Sequence, residues 1–534
     1  MPAVLRAQVR PNAGWRQIDS DHFRVIYEPG LDSLAQHAIR RAELEHARLN
    51  DGLARAPNRK IDIIIADNTD ITNGFAMPFP DDRIYLYARP PVEDLSLQYY
   101  EDWMELVVTH ELTHVFHFEQ AGRIGRALRT LFGRVPLGWP LFPILEMPRW
   151  NTEGLATVIE SQHTDAGRVN GSYHEMVVRT DVLEHRFPPI DRVSGETPIW
   201  PGGDRAYIYG SLFMDYIARS YGEPAHSELI RKTAGSILPP SWRLDAVAKK
   251  AVGKTYRQLY DAWHAQLDST YAVQAGALSA RGLTTAETIT TSGRHAWFPR
   301  VAPDHRTLAY ADENGRDIAS TRLIDLQTHD DERIRRNGLG PVSWLRDGSG
   351  YITAQYEFGS PYETFADLYL VQGGAEKRLT HGERAETPDL SADGHTVVYV
   401  QNLRGTNRLM LRDLRTGVAR VLVDASPDAQ WILPRFSPDG TRIAAQRWTR
   451  AHGHDVVIID LNGRVQWEIR TSGTDAAPTW SADGHYVLFS SDRTGIDNLY
   501  ASDGSGIRQI TNVLGGAFYP DVSADARWIY FSGY

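Results

Sequence analysis

The spacing of hydrophobic and polar residues divides the chain into two parts with different patterns. In the first part, the runs at 22–28, 61–67 and 83–88 are rich in β-branched and aromatic residues and are bounded by turn residues, which is typical of strands. Apolar residues recur at helical spacing in 31–56, 101–120, 150–161, 205–221, 226–235 and 255–278. We therefore predict a sheet subdomain at about 15–95 and a helical subdomain at about 99–278, with a cleft between them.

Near residue 280 the pattern changes to a repeat. A turn signature, (Ser/Ala)-x-Asp-Gly or a close relative, recurs six times, and a run of β-forming residues follows each copy. Its aspartates are 43, 46, 46, 44 and 42 residues apart, at Asp304, Asp347, Asp393, Asp439, Asp483 and Asp525. An Asp-Gly pair favours a tight turn between two strands. A period in the low forties with several short strands per unit is typical of a β-propeller.

This repeat resembles the propeller of the TolB-like family, whose blades carry the SPDG signature found here at 437–440. The resemblance covers about 285–534 and implies an all-β propeller of about six blades. Two alternatives are open for its last blade. The propeller is truncated at the C-terminus, or the run TAETITTSG at 285–293 supplies an outer strand, which still leaves one strand unaccounted for.

Composition narrows the possible functions. The 534 residues are 42% hydrophobic and 10% aromatic, as in a globular protein, and a chain of this length is expected to form two or more domains. A net charge of −10 disfavours a dedicated nucleic-acid-binding protein. The chain has no cysteine, so any metal site must use His, Asp or Glu. We expect no transmembrane segment, because the longest apolar stretch, 135–148, contains four prolines and is too short to span a bilayer.

The motif HELTH at 110–114 points to a metal site. On a helix, His110 and His114 lie one turn apart on the same face, so their imidazoles can share one Zn²⁺. Glu111 lies beside them, where it can act on a water molecule. The alternative is a helix with two incidental histidines. His117 shares the face, but seven residues of helix rise about 10 Å, so we interpret it as a cleft-lining or solvated histidine.

A second motif, WNTEGLATVIE at 150–160, places Glu153 39 residues after His114. The pattern WxxEGxAxxxE resembles the second zinc helix of the gluzincin metallopeptidases. The resemblance implies that Glu153 is the third metal ligand and that Glu160 orients a zinc-bound histidine. Three protein ligands would leave the fourth tetrahedral position for water, as a catalytic zinc requires. For Glu160, an exposed surface position is the alternative.

Two further segments bear on catalysis. Residues 207–210 read YIYG, which matches the YxxG segment from which gluzincin aminopeptidases take an oxyanion-stabilising tyrosine. The match points to Tyr207, with Tyr209 as a second choice and a core aromatic position as the alternative. The candidate edge strand at 73–78 reads GFAMP where these aminopeptidases carry GxMEN. The glutamate that holds a free amine is therefore missing, which favours endopeptidase action.

Residues 1–280 as a whole resemble the peptidase MA-like gluzincins, an α+β metallopeptidase class, so the chain is predicted to be a zinc endopeptidase with one Zn²⁺. Glu111 is expected to take a proton from the zinc-bound water, and Tyr207 and the zinc to stabilise the oxyanion. The propeller, 285–534, is expected to bind the peptide or protein substrate, or an envelope protein.

The resemblance to TolB implies a periplasmic or secreted location in a bacterium, although the first residues lack the apolar region of a signal peptide. Two alternatives to the endopeptidase are open. One is a catalytically inactive propeller scaffold of the cell envelope, and the other is an oligopeptidase whose propeller restricts access.

Overall fold

The chain forms two compact units. The computed structural model describes residues 10–92, 94–164, 166–195, 200–291, 295–314, 317–338 and 340–534. The α/β unit comprises Pro11–Asp67 and Thr72–Gly276, and the propeller unit comprises Ala277–Tyr534 together with Arg10 and Asn68–Ile71 among its described residues. The predicted multidomain organisation, with an N-terminal α/β region and a C-terminal β-propeller, is confirmed.

One mixed sheet forms the core of the α/β unit. Its strands are β1 (Arg16–Asp19), β2 (Phe23–Tyr27), β3 (Ile61–Ala66), β4 (Gly74–Met77) and β5 (Arg83–Tyr87). They are ordered β1-β2-β3-β5-β4, with β2, β3 and β5 parallel and the two outer strands antiparallel to their neighbours. β3 is buried at every residue but Asp62, as expected for a central parallel strand. β4 is left as an edge strand.

Helices make up most of the rest of this unit. They are α1 (Asp32–Gly52), α2 (Trp103–Phe118), α3 (Arg123–Phe132), α4 (Arg149–His163), α5 (Ser172–Leu183), α6 (Arg205–Tyr221), α7 (Pro224–Ala234), α8 (Leu244–Val252) and α9 (Tyr256–Ala280). The sequence pattern does not predict α3, α5 and α8. α3 and α8 are short, and α5 buries polar residues such as His174 and Arg179 beside apolar ones, which obscures its periodicity.

Helices α2 and α4 are held by specific local contacts. α2 starts after Asp102, whose carboxylate accepts the backbone N–H groups of Met104 at 3.1 Å and Glu105 at 3.2 Å, an N-cap. α4 crosses α6 at two facing glycines. A Cβ on Gly154 would lie 2.4 Å from the carbonyl carbon of Gly210, and one on Gly210 would lie 2.3 Å from a backbone oxygen of α4. Only glycine permits this approach, because side chains at a crossing set the distance between helices.

The propeller unit is built from small antiparallel sheets. Four-stranded blades are formed by β6 (His295–Val301), β7 (Thr307–Glu313), β8 (Ser320–Asp325) and β9 (Asp331–Arg335); by β10 (Ser343–Trp344), β11 (Gly350–Ser360), β12 (Glu363–Gln372) and β13 (Ala375–Arg378); by β14 (Ala385–Leu390), β15 (Thr396–Asn402), β16 (Asn407–Asp413) and β17 (Ala419–Val423); by β18 (Ala429–Phe436), β19 (Arg442–Thr449), β20 (Gly453–Asp460) and β21 (Val465–Ile469); and by β22 (Asp475–Trp480), β23 (Val487–Ser491), β24 (Asn498–Ser502) and β25 (Ile507–Gln509). A two-stranded sheet, β26 (Ala517–Val522) and β27 (Ile529–Gly533), follows.

The described residues thus form five blades, and the prediction of about six is wrong. The sixth repeat contributes two strands, and its β26 packs beside both β22 and β6. The suggested outer strand at 285–293 is not found, because 285–291 form no strand and the rest of that run lies outside the described residues.

The repeated signature forms the turn between the first two strands of a blade. The Ser437 hydroxyl donates to Asp439 at 2.5 Å and accepts the Arg442 N–H at 2.9 Å, and Ser391, Ser481 and Ser523 make the equivalent bonds. Gly440 has a φ of 69°, in the left-handed region that favours glycine. The aspartate therefore serves as the acceptor that closes the turn.

Candidate metal centre

Helices α2 and α4 bring His110, His114 and Glu153 together. The Nε2 atoms of the two histidines are 3.2 Å apart, and Glu153 Oε2 lies 3.1 Å from that of His114 and 3.6 Å from that of His110. Both histidines are 6% exposed, and the Glu153 side chain is 16% exposed. The i, i+4 spacing in α2 directs both rings to one side, towards the carboxylate of α4.

This donor set fits a zinc ion. Two ligand atoms held about 2.0–2.1 Å from a tetrahedral zinc lie roughly 3.3–3.5 Å apart, and the three separations here range from 3.1 to 3.6 Å. Two imidazoles with one glutamate are a set that catalytic zinc sites use, with a fourth position left for water or substrate. Among the described residues, these three form the cluster that could hold a metal ion.

The charges around the cluster favour a cation. Burial raises the pKa of Glu153, but the neighbouring His114 and His110 outweigh it and hold that pKa well below its usual range. Burial lowers the pKa of His110, whereas hydrogen bonds with Glu153 and Glu160 raise it, to about 9 overall. His110 therefore lies between two ionised carboxylates, and a metal cation can take the place of the proton that this environment favours.

Glu160 lies behind His110, on the side away from Glu153. Its Oε2 is 2.8 Å from His110 Nδ1, and the residue is 0% exposed. The alternative of an exposed surface glutamate is therefore wrong. Burial raises the pKa of Glu160, but Arg168 and His110 lower it to about 2. An ionised carboxylate at Nδ1 keeps the proton on that nitrogen and leaves Nε2 free to bind a metal.

Arg168, which belongs to none of the sequence motifs, completes this network. Its Nε donates to Glu160 Oε1 at 2.7 Å, its Nη2 donates to Glu160 Oε2 at 2.7 Å, and the same Nη2 is 2.9 Å from His110 Nδ1. Its guanidinium carbon lies 5.1 Å from the centre of the Tyr207 ring. Arg168 stands in the loop after α4, outside any motif, so no sequence signal separates it from the other arginines.

Glu111 lies at a solvent-open cleft of roughly 200 Å³. The cleft is lined by Asn73, Gly74, His110, Glu111, Asp204 and Tyr207, among others. Burial raises the pKa of Glu111 although the two neighbouring histidines lower it. A Cβ on Gly74 would lie 2.7 Å from Val107 Cγ2 and 3.3 Å from Glu111 Oε1. The edge strand β4 therefore runs close beside Glu111.

The two tyrosines of α6 have different surroundings. Tyr207 lines the cleft, and its ring centre is 6.2 Å from that of His110. Burial raises the pKa of Tyr207, and Glu153 adds to this, so its hydroxyl keeps its proton. Tyr209 is 0% exposed and its hydroxyl donates to Asp181, so the second choice for an oxyanion donor is a core residue.

His117 lines a different space from the other histidines of α2. It is 2% exposed and faces a separate cavity of only about 10 Å³ that Asn151, His226 and Tyr256 also line. Burial lowers the pKa of His117 to about 3, so the ring is neutral. The expectation of a solvated or cleft-lining histidine is therefore wrong, because the helix directs this position into the interior.

Comparison with known proteins identifies the propeller. The family model of the TolB beta propeller domain (PD40) matches residues 372–533. The C-terminal region is therefore a TolB-like β-propeller, as predicted. This match lies in the propeller unit and does not test the metal centre. The described helices include none that is long and apolar enough to cross a membrane.

The individual relatives share only part of their length with this chain. An uncharacterized protein of Treponema pallidum (strain Nichols) is 26% identical over 258 residues, which are 47% of this chain and 21% of that protein. TolB from Acinetobacter baumannii is 20% identical, covering 44% of this chain and 58% of its own with a TM-score of 0.39. Kuenenia stuttgartiensis hydrazine synthase is 15% identical, covering 47% and 77%, with a TM-score of 0.35.

Proposed function

We propose that the α/β unit is a zinc-dependent endopeptidase of the gluzincin type. The observation that carries this proposal is the convergence of His110, His114 and Glu153, together with the position of His110 and Glu111 in the lining of a solvent-open cleft. These three residues would hold one zinc ion. When bound, zinc supplies Lewis-acid chemistry, which makes water acidic near neutral pH and polarises a carbonyl.

The chain's own residues transfer the proton, stabilise the developing charge and orient the metal ligands. Glu111 accepts the proton of the attacking water and delivers it to the leaving amine. The Tyr207 hydroxyl, which lines the same cleft, donates a hydrogen bond to the oxygen on which negative charge develops. Glu160 fixes the His110 ring and its tautomer from behind, and Arg168 holds Glu160 in place.

The substrate would bind as an extended strand beside β4. This strand lies at the edge of the sheet, so its outer backbone groups can pair with a peptide, as in β-augmentation. Gly74 brings that backbone close to Glu111. The segment Gly74–Pro78 has no glutamate to bind a free amino terminus, which favours cleavage within a peptide.

Metal content and turnover test this proposal together. In the full-length chain purified without chelators, we expect about one zinc per chain by mass spectrometry, and little in His110→Ala. With a quenched fluorescent peptide library, Glu111→Gln should retain zinc and lose nearly all turnover, because the metal ligands stay while the proton acceptor is lost. Glu184→Gln, at an exposed site distant in sequence from the motifs, is the matched control and should match the parent.

Two results would contradict the peptidase. Parent protein that takes up no zinc even when zinc is supplied would remove the metal centre. A Glu111→Gln variant as active as the parent would remove the assigned role of Glu111.

The second candidate function is a binding scaffold of the cell envelope, without catalysis. The TolB-like propeller favours it, and the comparisons support this candidate more than the peptidase because the propeller is what they match. We propose that the propeller binds a protein partner in either case, and that the protein is periplasmic. Fractionation of the native host tests the location. Intact protein without zinc or turnover would leave the scaffold as the function.

A further inference from the structure

A groove lies between the third blade (β14–β17) and the fourth blade (β18–β21), and we name it the 3/4 groove. It has a volume of about 730 Å³ and is open to solvent. Its lining combines apolar and acidic side chains, among them Leu411, Phe436, Leu461, Asp393, Asp413 and Asp439. This volume exceeds that of one side chain and is in the range of sites that bind small molecules or peptides.

The next junction along the propeller shows what occupies the equivalent position there. Arg442, the first residue of β19, reaches from the fourth blade to the fifth. Its Nη2 donates to the carbonyl oxygen of Gly484 at 3.0 Å, and its guanidinium carbon lies 4.7 Å from the centre of the Trp480 ring. The same Nη2 is 4.0 Å from an oxygen of Asp439. The junction between blades four and five is thus closed by an arginine stacked on an aromatic ring.

The 3/4 groove has the same recognition elements without that arginine. The repeat aligns Arg442 with Thr396, Trp480 with Phe436, and Gly484 with Gly440. Thr396, Phe436 and Gly440 all line the groove. Threonine is uncharged, and its side chain is too short to reach over the aromatic ring of the next blade. The aromatic ring and the turn carbonyl are present, and the side chain that would cover them is small.

Charge in the groove favours a cationic occupant. Hydrogen bonds within the turns, from the Ser391 hydroxyl, the Thr416 amide and the Ser437 hydroxyl, hold the pKa values of the three lining aspartates below their usual range. The basic residue in the lining, Arg420, donates to the Leu461 carbonyl at 2.8 Å. Three carboxylates and one guanidinium thus line the groove, the guanidinium already has a partner, and Arg442 lies near only one of the carboxylates, that of Asp439.

We propose that the 3/4 groove binds an arginine side chain in an extended, partly apolar segment of a partner protein. The guanidinium stacks on Phe436 and donates to the Gly440 carbonyl, as Arg442 does at the next junction. Val418, which is 67% exposed, and the partly buried Leu461 contact the apolar residues that flank the arginine. The site deepens the partner binding proposed for the propeller and does not depend on the metal centre.

Peptide binding to the full-length chain tests the site. The probe is fluorescein-labelled Ala-Leu-Arg-Leu-Ala-amide, and the same peptide with citrulline is the neutral control of equal shape. Every protein carries Glu111→Gln, so that a peptidase cannot consume the probe. We expect the citrulline peptide to bind at least about tenfold more weakly in fluorescence anisotropy. It lacks the positive charge that interacts with the Phe436 ring and with the aspartate carboxylates.

Variants of the protein locate the binding. Thr396→Arg places in the groove the side chain that the repeat has at 442, so it should weaken the arginine peptide at least about tenfold. His395→Arg adds the same charge one residue earlier, on an exposed side chain outside the groove lining, and should leave binding within about twofold of the parent.

Three results would overturn the proposal. These are undetectable binding of the arginine peptide at millimolar concentration, equal binding of the citrulline peptide, and full binding by Thr396→Arg. The citrulline comparison needs no change in the protein, so it holds even if a variant folds poorly. Loss of zinc or of turnover would not affect any of these measurements, so the groove and the peptidase can fail separately.

Discussion

Replacing Arg168 by methionine tests how the candidate metal centre is supported. The change removes two hydrogen bonds of 2.7 Å to Glu160 and leaves that carboxylate at 0% exposure with His110 as its neighbour. The Arg168 side chain is itself only 9% exposed, so solvent screens the pair weakly. Removing one partner of a buried ion pair costs about 3–5 kcal/mol. We expect the lower end of this range, because His110 still compensates part of the remaining charge.

Hydrogen exchange of α2 and α4, in the presence of EDTA, measures this cost locally. The chelator removes any stabilisation by a bound metal. A loss of about 3 kcal/mol corresponds to exchange more than 100-fold faster, since each 1.4 kcal/mol is a factor of ten. Amides of β18–β20 provide an internal reference in the propeller unit. Arg186→Met is the matched control, because Arg186 pairs with Glu184 at an exposed site.

A second substitution separates loss of packing from the buried charge. Glu160→Gln in the Arg168→Met background should restore much of the lost protection, because the isolated carboxylate is then gone. The two changes should couple by about 1–3 kcal/mol. Exchange in Arg168→Met within about fivefold of the parent, or simple addition of the two effects, would refute this account.

Four further predictions follow from the same structure. Glu153→Ala should lower the zinc content per chain, and unchanged content would contradict the third-ligand role. Glu160→Ala should weaken zinc binding by about 10–100-fold in a chelator competition, and an unchanged affinity would show that Glu160 does not support the site. Burial raises the pKa of Asp82 from 3.8 to about 7. The folded state therefore binds this proton more tightly than the unfolded state. The resulting stabilisation is fully present below about pH 4 and is lost as the pH rises to about 7. Asp82→Asn should therefore gain thermal stability relative to the parent across that window, and parallel curves would contradict the assignment. Gly154→Ala should lower the melting temperature because its Cβ would overlap the backbone of α6, whereas Gly276→Ala, which meets no atom within 4 Å, should be neutral or stabilising.

The propeller was predictable because its evidence is repeated. Six copies of the (Ser/Ala)-x-Asp-Gly turn or a close relative, each followed by a β run, specify the same local structure independently. The blade number was not predictable in the same way, since it depends on whether two strands make a blade. Turn chemistry is local, whereas closure of a ring depends on contacts such as those of β26 with β6.

The residues of the candidate site also differ in whether the sequence predicts them. His110, His114, Glu153 and Glu160 occur at fixed spacings on two helices, so helical geometry and the gluzincin resemblance select them from the sequence. Arg168 reaches Glu160 from a loop, and a loop gives no periodicity from which a contact can be inferred. His117 shares the spacing of the other histidines but faces a separate cavity, because tertiary packing decides which side of α2 meets the cleft.

The facing glycines of α4 and α6 provide a reference for comparing the evolution of the fold with that of the candidate site among homologues. Gly154 and Gly210 are required by the distance between two backbones, whatever the protein does. In the proposed peptidase, Glu111 is required for proton transfer. A lineage that abandoned hydrolysis would be free to replace Glu111 while both glycines persisted. Among natural variants, more frequent substitution of Glu111 than of the two glycines would therefore indicate loss of the proposed activity without loss of the fold.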